Sequence, residues 1–222
     1  MIRKKLGKAK LKGGGADRAR AQLEAYIGAQ SLSDAALSAE LHQGLAATRI
    51  GHIGLATTPE LEGLACAAGC AFCCILSGDD GGVITGAEAK ALHTALAPLA
   101  GQPDGRAWHP KACPSLDPET RMCRAYEARP MICRSYVSRD KAACEAISEG
   151  ETAQGTATHA AYGTYLSVHA LGRAALGPGH APTYALRKIA EAAVEGVPLE
   201  RALKEARHRP AELLEERKRV TL

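Results

Sequence analysis

Apolar residues recur at the spacing of an α-helix through most of the chain. In the segment 17–30, Leu23 and Ile27 stand four residues apart, which places them on one helix face. A second segment begins after Ser and Asp residues suited to an N-cap, and it carries three leucines at the same spacing: Leu37, Leu41 and Leu45. We predict that these two helices form an antiparallel pair covering the middle of the chain.

Several stretches interrupt this pattern. Residues 51–59 contain glycine and proline and predict a break, after which a short helix is expected to open at Pro59. The composition of 77–82 is typical of a loop. Residues 101–118 contain four prolines, which excludes a long regular helix there.

Helical patterns return from Thr85 onward. Thr85 and Glu88 have the spacing of a capping box, and the helix that they open is expected to end near Gly101, or a turn sooner at Pro98. Further helices are predicted over 156–176, 183–195, 198–207 and 210–218.

The composition supports a mostly α fold. Alanine and leucine dominate the apolar residues, with one phenylalanine (Phe72) and one tryptophan (Trp108), so a large sheet is not expected. We predict helices flanking an irregular, cysteine-rich metal-binding centre. The expected division is a tail over 1–15, a helical pair with the cysteine core over 16–150, and a helical region over 151–222 packed on that core.

The formal charge of +4 is concentrated at the N-terminus. The first 15 residues contain six basic side chains and no acid, which leaves the rest slightly acidic: Arg3, Lys4, Lys5, Lys8, Lys10 and Lys12. We predict a disordered basic tail. Nucleic-acid binding is not expected, because no recognition motif accompanies the tail.

The chain contains no signal-peptide pattern and no run of about 18 apolar residues, so we expect a cytoplasmic protein that does not enter a membrane. Glutathione and thioredoxin keep cytoplasmic thiols reduced, which favours metal ligands over disulfides. Disulfides remain the alternative, although the adjacent pair Cys73-Cys74 suits them poorly, because a vicinal bridge is strained.

All eight cysteines lie in one stretch, and we predict that they are metal ligands: Cys66, Cys70, Cys73, Cys74, Cys113, Cys123, Cys133 and Cys144. If residues 66–74 are helical, Cys66, Cys70 and Cys73 share a stripe about 60° wide. Thiolates select zinc, Cu(I) or iron–sulfur clusters. A zinc site usually takes two close cysteine pairs, whereas the last four cysteines contain no close pair. We therefore favour an iron–sulfur cluster, with zinc as the alternative.

The motif Cys66-x3-Cys70-x2-Cys73-Cys74, followed by Cys113, Cys123 and a Tyr126-x2-Arg129-Pro130-x2-Cys133-Arg134 segment, resembles the YkgJ-type CxxCxxCC family, described as chelating zinc or iron. The likeness covers about residues 62–137, although the first gap is three residues where the family name implies two. It implies that the seven matching cysteines bind metal. Cys144 lies beyond the part that can be matched.

Two arginines stand beside these cysteines. Arg129 and Arg134 are candidates to bind the cofactor by neutralising its thiolates or donating to its sulfurs, or else to hold a turn and pair with a carboxylate. Tyr126 and Tyr136 are expected to pack around the site. His109 is expected at the surface.

We therefore predict a metal-binding protein with a redox or enzyme-supporting role. The alternatives are a zinc-stabilised module that binds a protein partner and a protein that delivers metal. The sequence contains no P-loop, H-E-x-x-H motif or serine triad, and nothing singles out one cysteine as a nucleophile, so an enzymatic activity is left open.

Overall fold

The computed structural model describes residues 1–57, 63–75 and 80–221. The helix predicted to open at Pro59 and the first half of the loop predicted over 77–82 lie outside these ranges. Within them, eleven α-helices and two antiparallel strand pairs are found, so the mostly α prediction is confirmed. No helix in the described ranges combines the length and apolarity needed to cross a membrane.

The N-terminal helices are α1 (Ile2–Lys8), α2 (Ala16–Ala29), α3 (Asp34–Gln43) and α4 (Leu45–Thr57). The middle of the chain contains β1 (Val83–Thr85), α5 (Gly86–Leu96), α6 (Met131–Ser135), β2 (Tyr136–Ser138) and α7 (Lys141–Ser148). The C-terminal elements are β3 (Thr156–Thr158), α8 (Ala160–Leu176), β4 (Thr183–Ala185), α9 (Leu186–Val194), α10 (Leu199–Glu205) and α11 (Glu212–Thr221).

The first of two apolar cores surrounds α8. Most side chains of this helix are buried, among them Tyr162 and Tyr165. The helix packs against α1, α2, α3, α4 and α11. A helix that is apolar all round needs neighbours on every side, and these five helices supply them. The prediction that α2 and α3 cover the cysteine region is therefore wrong, since both pack on α8.

The second core lies between α5, α9 and α10, and the cysteine loops pack on it. β1 pairs with β4, with Ile84 opposite Tyr184. β2 pairs with β3, with Tyr136 opposite Thr158. Ile132 in α6 contacts both cores, so the cysteine segment lies where the two cores meet.

The basic N-terminal segment is helical in the structure, which corrects the prediction of a disordered tail. Ile2 and Leu6 stand four residues apart in α1, and each is only 6% exposed in the first core. Arg20 donates to the carbonyl oxygen of Leu6 in this helix and to that of Ala9 directly after it. The prediction counted the lysines and overlooked this apolar pair.

The predicted break over 51–59 is also wrong over 51–57, because α4 continues to Thr57. Residues 58 and 59 lie outside the described ranges. Gly51 and Gly54 are sites of close approach: a Cβ on Gly51 would lie 3.2 Å from Cβ of Tyr165. One on Gly54 would lie 3.1 Å from Cβ of Ala161. The actual break is seven residues earlier, at Gly44, whose positive φ of 77° ends α3 and separates Leu45 from Leu41.

The segments predicted as helices over 156–176 and 183–195 each begin with a short strand, β3 and β4. Strand pairing at these positions depends on partners far away in the chain, which local periodicity does not report. The capping box at Thr85 and Glu88 is present as predicted, and α5 ends at Leu96 before a 3₁₀ turn, Ala97–Leu99.

The buried Glu88 carboxyl connects this capping box to both cores. It accepts hydrogen bonds from the Thr85 amide at 2.9 Å and the Met131 amide at 2.7 Å, and from the Tyr165 hydroxyl. Burial raises the pKa of this carboxyl, and the three donors oppose the rise. The start of α6 is thereby attached to α5 and α8.

We expect Glu88→Ala to lower the free energy of unfolding by about 3 kcal/mol, because its buried donors, which include the Thr85 hydroxyl, lose their acceptor. Urea unfolding of the reduced protein measures this. The exposed glutamate on α2 supplies the control, and Glu24→Ala is expected to change stability by less than about 0.5 kcal/mol. Equal effects from the two variants would contradict the role given to Glu88.

Candidate metal centre

The first four cysteines lie on an irregular segment that ends in a 3₁₀ turn, Phe72–Cys74. Gly69 and Ala71 have positive φ angles of 74° and 55°, and each interrupts a right-handed helix. The helical stripe considered for residues 66–74 is therefore absent from this described segment, and the chain folds back on itself.

The loop after α5 brings Cys113 to this segment. The Cys113 amide donates to the Cys74 carbonyl at 2.7 Å, next to an isolated bridge between Ile75 and Ala112. Gly105 allows the loop to close, because a Cβ there would lie 2.4 Å from the Cys113 carbonyl oxygen. Backbone pairing thus determines the position of Cys113.

The last three cysteines are held by different elements. Cys123 pairs with Leu116 in a second isolated bridge, Cys133 lies in α6, and Cys144 lies in α7. α7 packs against the 3₁₀ turn, which brings its cysteine back to the first four.

All eight cysteines line one cavity of about 510 Å³. All eight are also free thiols. Cys66 and Cys73 are exposed, Cys113 and Cys144 are buried, and the other four are partly buried. Among the described residues, no three His, Cys, Asp or Glu side chains converge closely enough to form a ready-made metal site.

The adjacent pair has two very different thiols. The Cys74 thiol donates a hydrogen bond that lowers the pKa of Cys73 from an ordinary value of 9.0 to about 7. The charge of Arg129 acts in the same direction, and burial opposes it. The same hydrogen bond, together with burial and the neighbouring thiols of Cys113 and Cys133, raises the pKa of Cys74 well above its ordinary value.

Burial also raises the pKa of four further thiols: Cys113, Cys123, Cys133 and Cys144. The rise is large for Cys133, to which nearby thiols add. These groups are neutral at pH 7 in the metal-free protein. A metal would have to displace their protons, so binding is expected to release protons and to weaken at low pH.

The two predicted arginines are placed differently. Arg129 lines the cavity, and its guanidinium lies 3.7 Å from the Tyr126 ring centroid. Arg134 donates instead to the carbonyl oxygens of Arg129 at 2.8 Å and Glu127 at 2.6 Å, so it holds the turn before α6. Contact of Arg134 with a cofactor stays a prediction.

Arg121 also lines the cavity, and the sequence analysis missed it. Its guanidinium lies 5.6 Å from the Trp108 ring centroid, and its φ of 59° turns the chain just before Cys123. The only sequence signal is its place two residues from Cys123. Tyr126 and Tyr136 line the cavity as expected.

Three histidines of the chain have other surroundings than the cysteine cavity. His109 accepts from the Lys111 amide at 3.1 Å, and His159 caps α8 by accepting from the Ala161 amide. His169 is buried near the Pro182 carbonyl oxygen. None of the three is among the described residues that line the cavity.

Residues 65–154 match the model of the CxxCxxCC family, described as "Putative zinc- or iron-chelating domain". The cysteine segment is similar to that family. The resemblance drawn from the motif is thus confirmed, and the match extends past 137 to include Cys144. It covers less than half of the chain. No curated protein and no solved structure matches.

The donor set of this CxxCxxCC domain suits the metals that the family description names. Eight free thiols around one cavity are soft ligands for zinc or iron–sulfur chemistry. Zinc or iron chelation is therefore supported for the segment. Which cysteines act as ligands stays a prediction.

In the reduced, metal-free protein, we expect alkylation of Cys73 to rise with pH through about 7, because the thiolate is the nucleophile. Mass spectrometry after brief iodoacetamide labelling measures the modified fraction at each pH. Cys74→Ala removes the hydrogen-bond donor, so its labelling curve should move toward the ordinary thiol value. A wild-type midpoint already at that value would contradict the assignment.

We expect Gly105→Ala to lower stability by about 2 kcal/mol and to reduce metal content, because its Cβ would collide with backbone rather than with a movable side chain. Gly28→Ala in α2 is the matched control, since its Cβ meets nothing within 4 Å. This control should be neutral or stabilising by up to about 1 kcal/mol. Unfolding curves and metal analysis of both variants test the pair, and normal metal content in Gly105→Ala would contradict the expectation.

Proposed function

We propose that the CxxCxxCC domain holds an iron–sulfur centre and that the protein has a redox or enzyme-supporting role. The observation that carries this proposal is that eight free cysteines line one cavity. The ligands would be drawn from these eight thiols. An iron–sulfur centre would supply one-electron transfer at this position.

The spacing of the thiols favours a cluster over a single zinc ion. A structural zinc is usually closed by two close cysteine pairs, whereas the last four cysteines contain no close pair. The cavity of about 510 Å³ has room for a centre larger than one ion. Iron–sulfur clusters also accept cysteines at irregular spacing, which is the pattern here.

The protein's own residues would prepare the cavity for a negatively charged centre. Arg129 lowers the pKa of Cys73 by its charge and lines the same cavity. Arg121 adds a second positive charge to the lining. Two cations beside thiolates would offset the charge of a thiolate-ligated centre and raise its reduction potential. Free thiols of this kind persist in a reducing compartment, and we propose the cytoplasm.

The zinc-stabilised module is the second candidate. It is favoured by the family description, which names zinc beside iron, and by the packing of the cysteine loops on the second core. In this case the metal would supply folding free energy, and the helices would present a surface to a protein partner. A metal-delivery role is favoured only by the exposure of Cys66 and Cys73.

We expect protein purified without oxygen to be brown, to absorb near about 400 nm, and to contain iron and acid-labile sulfide. Visible absorption with iron, sulfide and zinc analysis tests this. The comparison variant is Cys66→Ser with Cys133→Ser, which should lose most of the colour. Colourless protein with stoichiometric zinc and no sulfide would overturn the cluster and support the module. Readily exchanged, substoichiometric metal would instead support delivery.

A further inference from the structure

Four of the cysteines form an inner set that packs on the second core: Cys74, Cys113, Cys123 and Cys133. Backbone contacts hold the members together. The Cys113 amide donates to the Cys74 carbonyl, and the Leu116 amide donates to the Cys113 carbonyl at 3.0 Å while Leu116 pairs with Cys123. Cys133, in α6, packs on the same core and lines the same cavity.

The other four cysteines form an outer set: Cys66, Cys70, Cys73 and Cys144. The Ala65 amide donates to the Ser138 carbonyl at 2.9 Å, and the Cys66 Sγ lies 3.8 Å from the same oxygen. α7 brings Cys144 against the 3₁₀ turn that carries Cys73. Cys70 lies three residues before Cys73 on the same irregular segment and lines the same cavity.

The adjacent residues Cys73 and Cys74 fall into different sets. In a 3₁₀ turn, successive side chains point about 120° apart, so neighbours in the chain face different directions. Cys74 packs on the second core, whereas Cys73 is exposed. The vicinal pair thus forms the boundary between the two sets.

We propose that the domain binds two separate metal centres, one held by the four inner cysteines and one by the four outer cysteines. This inference rests on the proposed metal-binding function and assigns the ligands within it. Each centre would be a zinc ion or an iron–sulfur cluster, because four thiolates suit both. The doublet Cys73-Cys74 contributes one ligand to each centre, which gives a reason for two adjacent cysteines.

The two centres would differ in access to solvent. The outer set contains both exposed cysteines, Cys66 and Cys73, whereas the inner set lies against the second core. A chelator in solution would therefore remove the outer metal first. Because no three thiols converge among the described residues, loading would also require the cysteine side chains to turn toward each centre.

Titration of the reduced, metal-free full chain with Co²⁺ tests the assignment, because thiolate-to-cobalt absorption reports the bound sulfurs. We expect about two cobalt ions per chain with four-thiolate spectra. Cys66→Ser with Cys144→Ser removes two outer ligands, and this variant should keep one four-thiolate ion with unchanged absorption per metal. Cys66→Ser with Cys133→Ser is the matched control, since it removes one ligand from each set and should leave no four-thiolate ion.

The outcomes separate this inference from the proposed function. One cobalt ion in the wild type, or equal loss in the two double variants, would overturn the two sets while leaving metal binding intact. Absence of thiolate-bound cobalt in the wild type would overturn both. Far-ultraviolet circular dichroism checks that each variant is folded, and the outer variant alone decides the question if the control does not fold.

Discussion

The position of the cysteine segment depends on one buried carboxyl, that of Glu88. The carboxylate oxygens accept hydrogen bonds from the capping box of α5, the first amide of α6 and a tyrosine of α8. Three elements from distant parts of the chain therefore meet at one group. A buried carboxyl requires donors for its oxygens, which makes this meeting point specific. Cys133 follows two residues after Met131, and its place beside the other thiols derives from this contact.

The vicinal cysteines illustrate how burial and a turn can separate neighbours in the chain. Cys73 is exposed with a lowered pKa, and Cys74 packs on the second core with a raised one. One hydrogen bond produces both shifts, because it favours the thiolate that accepts and the thiol that donates. The pair is therefore asymmetric before any metal binds. The arginines at the cavity add to this asymmetry, since Arg129 acts on Cys73 by its charge.

Much of the helical fold could be predicted from periodicity and capping. The capping box at Thr85 and Glu88 and the helix after it are local features, and both are present. The errors arose where a contact distant in sequence decides. The glycines at 51 and 54 suggest a break in the sequence, whereas in the structure they allow α4 to approach α8 closely. The N-terminal lysines suggest a solvated tail, although Ile2 and Leu6 between them are buried. Local periodicity predicts helix at two short strands, because their partners lie far along the chain.

The sequence by itself determined the helical class and the cysteine-rich segment of the CxxCxxCC family, because composition, helical periodicity and motif spacing are local properties. It also singled out Arg129. Only the tertiary structure decided how the cysteines are grouped, that Arg134 binds carbonyl oxygens, and that Arg121 lines the cavity. The reason is that these relations depend on two left-handed residues, isolated bridges and a turn that bring distant segments together. No spacing between cysteines records them.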